Sequence, residues 1–230
     1  MLGFGMVDHV CLRTAAIDAA VVRAVEAGCR QLVILGAGLD GRAWRLNALR
    51  EVDVYEVDHP DTQAEKRRRV DGLMQAASSV SFVPVDFARD RLAERLARAG
   101  HDSAAPTIWI WEGVTPYLPA PAIVASLTDV GSRSAVGSHL AMTYVVPGLV
   151  MLEGPAAKVL ERLTRAAFAT IGEPVLGATD PHTMENHLQA VGYRVDSDED
   201  ARAWSRHGPG NPTLSWPFRA ERLLVAIKDR

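Results

Sequence analysis

The sequence predicts an α/β fold: a doubly wound, mostly parallel sheet with helices on both faces. Three observations carry this prediction. Apolar strand-like segments recur along the chain, amphipathic segments separate most of them, and the first strand stops abruptly at glycines. Right-handed crossovers between parallel strands place helices on both faces of such a sheet. The candidate strands lie at 31–35, 52–57, 80–85, 107–111, 135–144, 193–196 and 223–227.

The candidate helices are predicted from apolar positions that recur with a helical period. They cover 17–27, 42–49, 61–77 and 89–99. The interval 146–185 departs from simple alternation, because prolines and glycines surround one helical stretch at 156–170. It is either an inserted lid over the carboxyl edge of the sheet or a crossover helix with irregular loops. We interpret residues 1–230 as a single domain.

Composition excludes several classes of function. The chain has 230 residues, 48% hydrophobic and 23% charged, which suffices for a core without a metal or disulfide. With 25 Lys and Arg against 28 Asp and Glu, it lacks the basic excess of a nucleic-acid-binding protein. The basic run 66–69 is interpreted as the solvated face of a helix.

Cysteine usage and hydropathy predict a cytoplasmic protein. Cys11 and Cys29 form no CxxC pair and have no metal-ligand spacing, so we expect no metal site and a reducing compartment. The first residues lack the pattern of a signal peptide, and no uncharged apolar run reaches 18 residues. We therefore expect neither export nor a membrane partner.

A glycine-rich turn directly follows the first strand. Residues 36–41 read Gly-Ala-Gly-Leu-Asp-Gly, and a helical segment comes next. Glycines allow a sharp turn and let backbone N–H groups approach a ligand closely. Ligands of open parallel sheets bind beyond the carboxyl ends of the strands. The bare pattern is weak evidence, but its position between a strand and a helix predicts a binding site here.

Acidic residues follow the second and third strands. Asp58 comes 20 residues after Gly38, a separation at which a carboxylate binds ribose hydroxyls. We prefer it to Glu56, because a proline at position 60 fixes the end of the strand near Asp58. Asp86 either binds an exocyclic amino group, caps a helix beginning near residue 88, or does both. Phe87 offers an apolar wall to a base.

The fourth strand ends in Glu112. A carboxylate that follows an apolar strand is costly without a charged partner, so it suggests a ligand ammonium or sulfonium group. Tyr117, a few residues later, either lines an acceptor pocket or packs against neighbouring residues.

Together these residues resemble class I S-adenosylmethionine-dependent methyltransferases of the leucine carboxyl methyltransferase type, which include bacterial and polyketide O-methyltransferases. The resemblance covers the first half of the chain well and the remainder by topology only. It rests on Arg13-Thr14 with Ile17-Asp18, and on the segments 31–46, 55–60, 85–86 and 106–118.

The resemblance implies a seven-stranded sheet whose last strand runs antiparallel, and S-adenosylmethionine as the cofactor. It implies that Arg13 binds the methionine carboxylate and that Glu112 lies near the methionine amino group. Gly36 and Gly38 would pass beneath the methionine and the ribose.

The same resemblance implies that Asp58 holds the ribose, and that Asp86 and Phe87 flank the adenine. The chain departs from the family in two places. Gly41 stands where members commonly have threonine, and only twelve residues precede Arg13 where members have a helical region that covers the active site. The second departure implies an upstream start, a more open pocket or a degraded copy.

The expected reaction is O-methylation of a small-molecule carboxylate or hydroxyl, for instance on a secondary metabolite such as a polyketide. A carboxylate needs no catalytic base, whereas a hydroxyl does. Candidate bases are His9, His59, His139, His182, His187 and His207, and none is assigned.

Two alternatives stay open. A nicotinamide-dependent oxidoreductase of the NAD(P) type shares the glycine pattern and the acid 20 residues later. A cofactor-binding remnant or partner subunit without turnover would suit the short N-terminal region.

Overall fold

The computed structural model describes residues 2–86, 89–147, 177–215 and 218–230, with side chains from residue 5 onward. Within these residues seven strands form one sheet, in the order β3-β2-β1-β4-β5-β7-β6. Strands β1 to β5 are parallel, and β7 lies antiparallel between β5 and β6. This confirms the predicted fold class. The strands are β1 Gln31–Leu35, β2 Asp53–Asp58, β3 Ser79–Pro84, β4 Thr107–Trp111, β5 His139–Val145, β6 Tyr193–Glu199 and β7 Glu221–Lys228.

Helices connect most of these strands. Their bounds are α1 Leu2–Glu26, α2 Arg42–Arg45, α3 Pro60–Val70, α4 Leu92–Arg98, α5 Ala120–Ser132, α6 Pro181–Ala190 and α7 Ala201–Trp204. Short 3₁₀ turns lie at Asn47–Glu51 and Thr115–Tyr117. In the part of the chain that the structure describes, no helix is long and apolar enough to cross a membrane.

Helix α1 begins fifteen residues before the predicted helix at 17–27. Its inward face includes His9, Leu12, Ala16 and Ala20, which recur every three or four residues and are buried. Residues 2–12 are therefore helical ahead of Arg13, although the sequence suggested that this region is nearly absent. The helix ends before Gly28, whose φ of +102° suits a helix C-terminus.

Two boundaries differ from prediction because of glycines with positive φ. Helix α3 stops at Val70, not at residue 77, because the chain turns at Gly72 with φ +73°. Strand β5 begins at His139, not at residue 135, because Gly137 adopts φ +87° in the preceding turn.

The sheet separates two apolar layers, as a doubly wound fold requires. Alternate side chains of β1 belong to different layers: Leu32 and Ile34 pack with α1, and Val33 and Leu35 pack on the face covered by α4, α5 and α6. The burial of all five β1 residues explains its continuous apolar sequence.

The predicted lid at 146–185 falls largely outside the described residues, which omit 148–176 and with them the helical stretch at 156–170. Its last residues, 181–185, form the first half of α6.

Candidate functional site

A cavity of about 380 Å³ opens at the carboxyl edge of the sheet, beside β1 and β4. Strand order reverses between these two strands, since β1 pairs with β2 on one side and with β4 on the other. Such a switch point is the usual ligand site of open parallel sheets. Its lining includes four of the predicted residues, Arg13, Gly36, Gly38 and Glu112.

The glycine turn is held by backbone and by β2. The N–H groups of Gly36 and Ala37 both donate to the Val57 carbonyl, at 2.9 and 3.0 Å. Gly36 has φ +67°, and a Cβ built on it would lie 2.5 Å from Cγ2 of Val114. Gly36 is thus required by its backbone conformation and by close packing against the segment after β4.

Asp58 lies where the sequence predicts it, against this turn. Its Oδ2 accepts a hydrogen bond from the backbone N–H of Gly38, and its Oδ1 accepts one from that of His59 at 2.6 Å. A carboxylate offers about four acceptor positions, so acceptor capacity remains for a hydroxyl group. The ribose role of Asp58 stays a prediction.

Glu56 and Lys66 form a buried ion pair beneath the turn. Glu56 Oε2 lies 2.6 Å from Lys66 Nζ, which also donates to the carbonyl of Asp40 at 2.6 Å. Both side chains are at most 3% exposed. The interpretation of the whole basic run 66–69 as solvated is therefore wrong at Lys66, whose position on α3 faces inward like that of Gln63. The other three residues of the run are exposed.

Asp86 follows β3 next to the end of β2. The N–H of Val85 donates to the Asp58 carbonyl at 2.9 Å, which places Asp86 beside Asp58 along the edge. Helix α4 begins only at Leu92 with Arg91 as its N-cap, so the prediction that Asp86 caps this helix is wrong. The adenine role of Asp86 stays a prediction, and Phe87 lies outside the described residues.

Glu112 has charged partners within the protein. Its Oε1 accepts from Arg13 Nε at 2.8 Å, and its Oε2 accepts from Arg42 Nη1 at 2.9 Å. The sequence correctly indicated that this carboxylate needs a cation, but it assigned that cation to a ligand ammonium or sulfonium group. Two arginines from distant parts of the chain itself supply it, so the need for a partner does not by itself indicate a ligand. The side chain stays 17% exposed at the cavity wall.

Arg42 is the residue that sequence reasoning missed. It is buried, and its guanidinium also binds Asp18 Oδ1, at 2.7 Å, and Asp40. Burial alone would lower the pKa of Arg42, but the carboxylates of Asp40, Glu112 and Asp18 raise it further above its ordinary value. The sequence contained one indication of this role for Arg42: Asp18 belongs to the family-like motif, and an acid stands two residues before Arg42.

The histidines do not provide a base at this cavity. His9 is buried, with Nε2 2.6 Å from Glu221 Oε2 and Nδ1 2.8 Å from Ser215 Oγ. None of the seven histidines, all of which lie in described parts of the chain, lines the cavity. Tyr117 is exposed and also lies outside this lining.

No metal centre is evident in the described ranges, where no three His, Cys, Asp or Glu side chains are grouped as metal ligands. Cys11 and Cys29 are both free thiols.

The sheet order with an antiparallel β7, and the cavity at the β1–β4 switch point, define the fold of the class I methyltransferases. Residues 3–131 match the family model of leucine carboxyl methyltransferase. The chain belongs to this family.

Known relatives and structures agree with this assignment. A "Putative S-adenosyl-L-methionine-dependent methyltransferase" of Mycolicibacterium gilvum is 38% identical over 205 residues, which cover 88% of this chain and 66% of that protein. The chain thus spans just under two thirds of this relative's length.

Two solved structures share the fold at low sequence identity. A putative methyltransferase from Thermobifida fusca superposes with a TM-score of 0.68 at 20% identity, over 95% of this chain and 80% of that one. Human N-acetylserotonin methyltransferase in complex with SAM gives a TM-score of 0.57 at 14% identity, over 93% and 52% of the two chains.

Replacing Arg42 tests the ion network. In Arg42→Ala three carboxylates lose a buried partner, so we expect the free energy of unfolding in urea to fall by about 3–5 kcal/mol. Arg45→Ala is the matched control: this guanidinium also binds Asp18, at 2.5 Å, but it is 46% exposed. Its loss is expected to change stability by roughly 1 kcal/mol or less. Equal losses in the two variants would contradict the role given to Arg42.

The Glu56–Lys66 pair makes stability depend on pH. Burial raises the pKa of Glu56 to about 7, against the opposing charge of Lys66. Between pH 4.5 and 7 the folded state retains a proton that the unfolded state releases, so this carboxyl lowers stability progressively as pH rises. The quantity to measure is the free energy of unfolding of Glu56→Gln minus that of the wild type. Because a glutamine at this position does not titrate, this difference is expected to increase over this range by up to about 3 kcal/mol.

Urea denaturation at several pH values measures this difference. Glu65→Gln is the control, because a hydrogen bond from Arg69 lowers the pKa of the exposed Glu65 carboxyl. Its difference from the wild type should show no such increase above pH 5. A flat difference for Glu56→Gln would refute the proposed titration.

Proposed function

We propose that the protein is an S-adenosylmethionine-dependent methyltransferase that acts on an oxygen of a small-molecule carboxylate or hydroxyl. One observation carries the proposal: the cavity beside the glycine turn is lined by both guanidinium groups and carboxylates, with Arg13 and Glu112 side by side among them. An amino-acid headgroup has one carboxylate and one ammonium group. The wall of the cavity is complementary to it in charge.

The charge balance around the cavity supports a zwitterionic ligand. Three arginines face four carboxylates in one connected network, so no excess positive charge remains for a phosphate group. Its members are Arg13, Arg42, Arg45, Asp18, Asp40, Glu112 and Glu221.

The oxidoreductase alternative lacks this support. Dinucleotide-binding folds place a pyrophosphate at the N-terminus of the helix that follows the glycine turn. Here α2 has only four residues, so it provides no sustained helix dipole. The acidic balance of the network also opposes a pyrophosphate.

The residues present fit S-adenosylmethionine along the carboxyl edge. Arg13 and Glu112 would hold the methionine end, the turn with Gly36 and Gly38 would lie beneath the ligand, and Asp58 would accept from the ribose hydroxyls. Asp86 and Phe87 would follow at the adenine. When bound, this cofactor supplies an electrophilic methyl group on a sulfonium. The protein's part is to hold and align the reactants and to exclude water, which supplies roughly 7–11 kcal/mol.

A carboxylate acceptor is favoured over a hydroxyl. A carboxylate is already an anion at neutral pH and attacks without loss of a proton, whereas a hydroxyl requires a base. Because no histidine lines the cavity, its lining offers no ready base of this type. The name of the family, leucine carboxyl methyltransferase, supports the same choice.

Cofactor binding is tested by isothermal titration calorimetry. We expect S-adenosylhomocysteine to bind and NADH not to bind. Asp58→Ala should weaken S-adenosylhomocysteine about tenfold or more, since hydrogen bonds to a charged group contribute about 1.5–3 kcal/mol. Asp61→Ala, which removes a carboxylate that is 93% exposed, is the control. Unchanged affinity in Asp58→Ala would remove the ribose assignment, and binding of NADH alone would overturn the proposal.

The acceptor is tested with S-adenosylmethionine that carries a tritiated methyl group. The protein is incubated with matched panels of small aromatic and aliphatic carboxylates and hydroxyl compounds, and the products are treated with alkali. Methyl esters release volatile methanol under alkali, whereas methyl ethers do not. We expect alkali-labile product from the carboxylates. Cofactor binding without transfer to any acceptor would instead support a remnant or partner subunit.

A further inference from the structure

Glu221 stands at the carboxyl edge of the sheet because β7 is antiparallel. It is the first residue of β7 and pairs with Val145, the last residue of β5. The start of an antiparallel strand thus lies at the edge where the parallel strands end. This topology brings an acid from near the C-terminus of the chain beside α1 and the cavity.

Glu221 binds Arg13 with both carboxylate oxygens, at 2.9 and 3.0 Å from Nη1. The Nε2–H of His9 donates to the same carboxylate at 2.6 Å, and Ser215 holds the other ring nitrogen of His9. Burial raises the pKa of Glu221, but the hydrogen bond from His9 and the charge of Arg13 keep it below its ordinary value. Glu221 is therefore a largely buried carboxylate, 12% exposed, with fixed partners.

These contacts fix the orientation of Arg13. Glu112 accepts from Nε at 2.8 Å, and Glu221 accepts from Nη1. Because a guanidinium is planar, two anchored nitrogens determine the position of the third. Nη2 hydrogen-bonds none of the described residues and lies 4.0 Å from the position of a Cβ built on Gly113. The free donor of Arg13 is thus held in one place beside Gly113, on a side chain that lines the cavity.

We propose that Glu221 is a positioning residue for the amino-acid headgroup of the cofactor, acting through Arg13. The inference rests on the proposed function, because the only anion of S-adenosylmethionine is its methionine carboxylate. A guanidinium held by two carboxylates presents Nη2 to that anion without losing side-chain freedom on binding. His9 holds the same carboxylate, and Ser215 in turn holds His9.

The test compares two ligands in Glu221→Gln. S-adenosylhomocysteine carries the amino-acid headgroup, whereas 5′-methylthioadenosine shares its adenosine and thioether but lacks the headgroup. By calorimetry we expect the variant to bind S-adenosylhomocysteine at least tenfold more weakly than the wild type and 5′-methylthioadenosine within twofold. Glu199→Gln is the matched control: this strand residue of β6 pairs with the exposed Arg206, and both affinities should stay unchanged.

A second variant distinguishes a loss of ligand binding from a folding defect. Glu221→Asp keeps the buried charge but shortens the side chain, and it should show the same selective loss while retaining a cooperative thermal transition. Equal weakening of both ligands in these variants, or no change in either, would overturn the inference. If the wild type binds S-adenosylhomocysteine and the variants give either of these results, the proposed function stands and only the role of Glu221 is overturned. If the wild type binds neither ligand, both proposals are overturned.

Discussion

The ion network that joins Arg13, Glu112 and Arg42 is the interaction on which the site depends. Its members come from α1, from the start of α2 and from the end of β4, and Glu221 adds the start of β7. Each of these two arginines compensates more than one carboxylate, so removal of one cation deprives several carboxylates of a partner at once. The network therefore connects helix and sheet at the edge where the cavity opens.

Its position follows from the topology of the sheet. Parallel strands β1 and β4 bring the glycine turn and Glu112 to one edge, and the reversal of β7 adds an acid that a fully parallel strand order would place at the opposite edge. Helix α1 packs across the face of the sheet and contributes Arg13 and Asp18, which lie five residues apart. The side chains of the site are thus brought close together by the whole fold.

Sequence reasoning succeeded where the relevant interactions are local. The β1 strand is a continuous apolar run, and the glycines that follow it mark its end, so the strand and turn were predictable. Glu112 was recognised as a carboxylate in need of a cation. The identity of that cation was not predictable, because Arg13 precedes Glu112 by 99 residues and Glu221 by 208.

The predictions for Lys66 and for the start of α1 were wrong for a related reason. Lysine is usually found at the protein surface, and only the pairing of Lys66 with Glu56 on a neighbouring element explains its burial. The first residues of α1 include glycines and lack an acidic first turn, so local preference gives little indication of helix. Packing of this segment against Trp204 and Phe218 overrides that preference.

The contact between Gly36 and Val114 changes how the glycine pattern should be understood. A methyl group at position 36 would overlap a side chain of the protein itself, whatever ligand is present. The first glycine of the pattern is therefore required by an internal steric constraint between the ends of two strands. Proteins with unrelated ligands can share that constraint, which is why a glycine signature of this kind identifies an architecture more reliably than it identifies a cofactor.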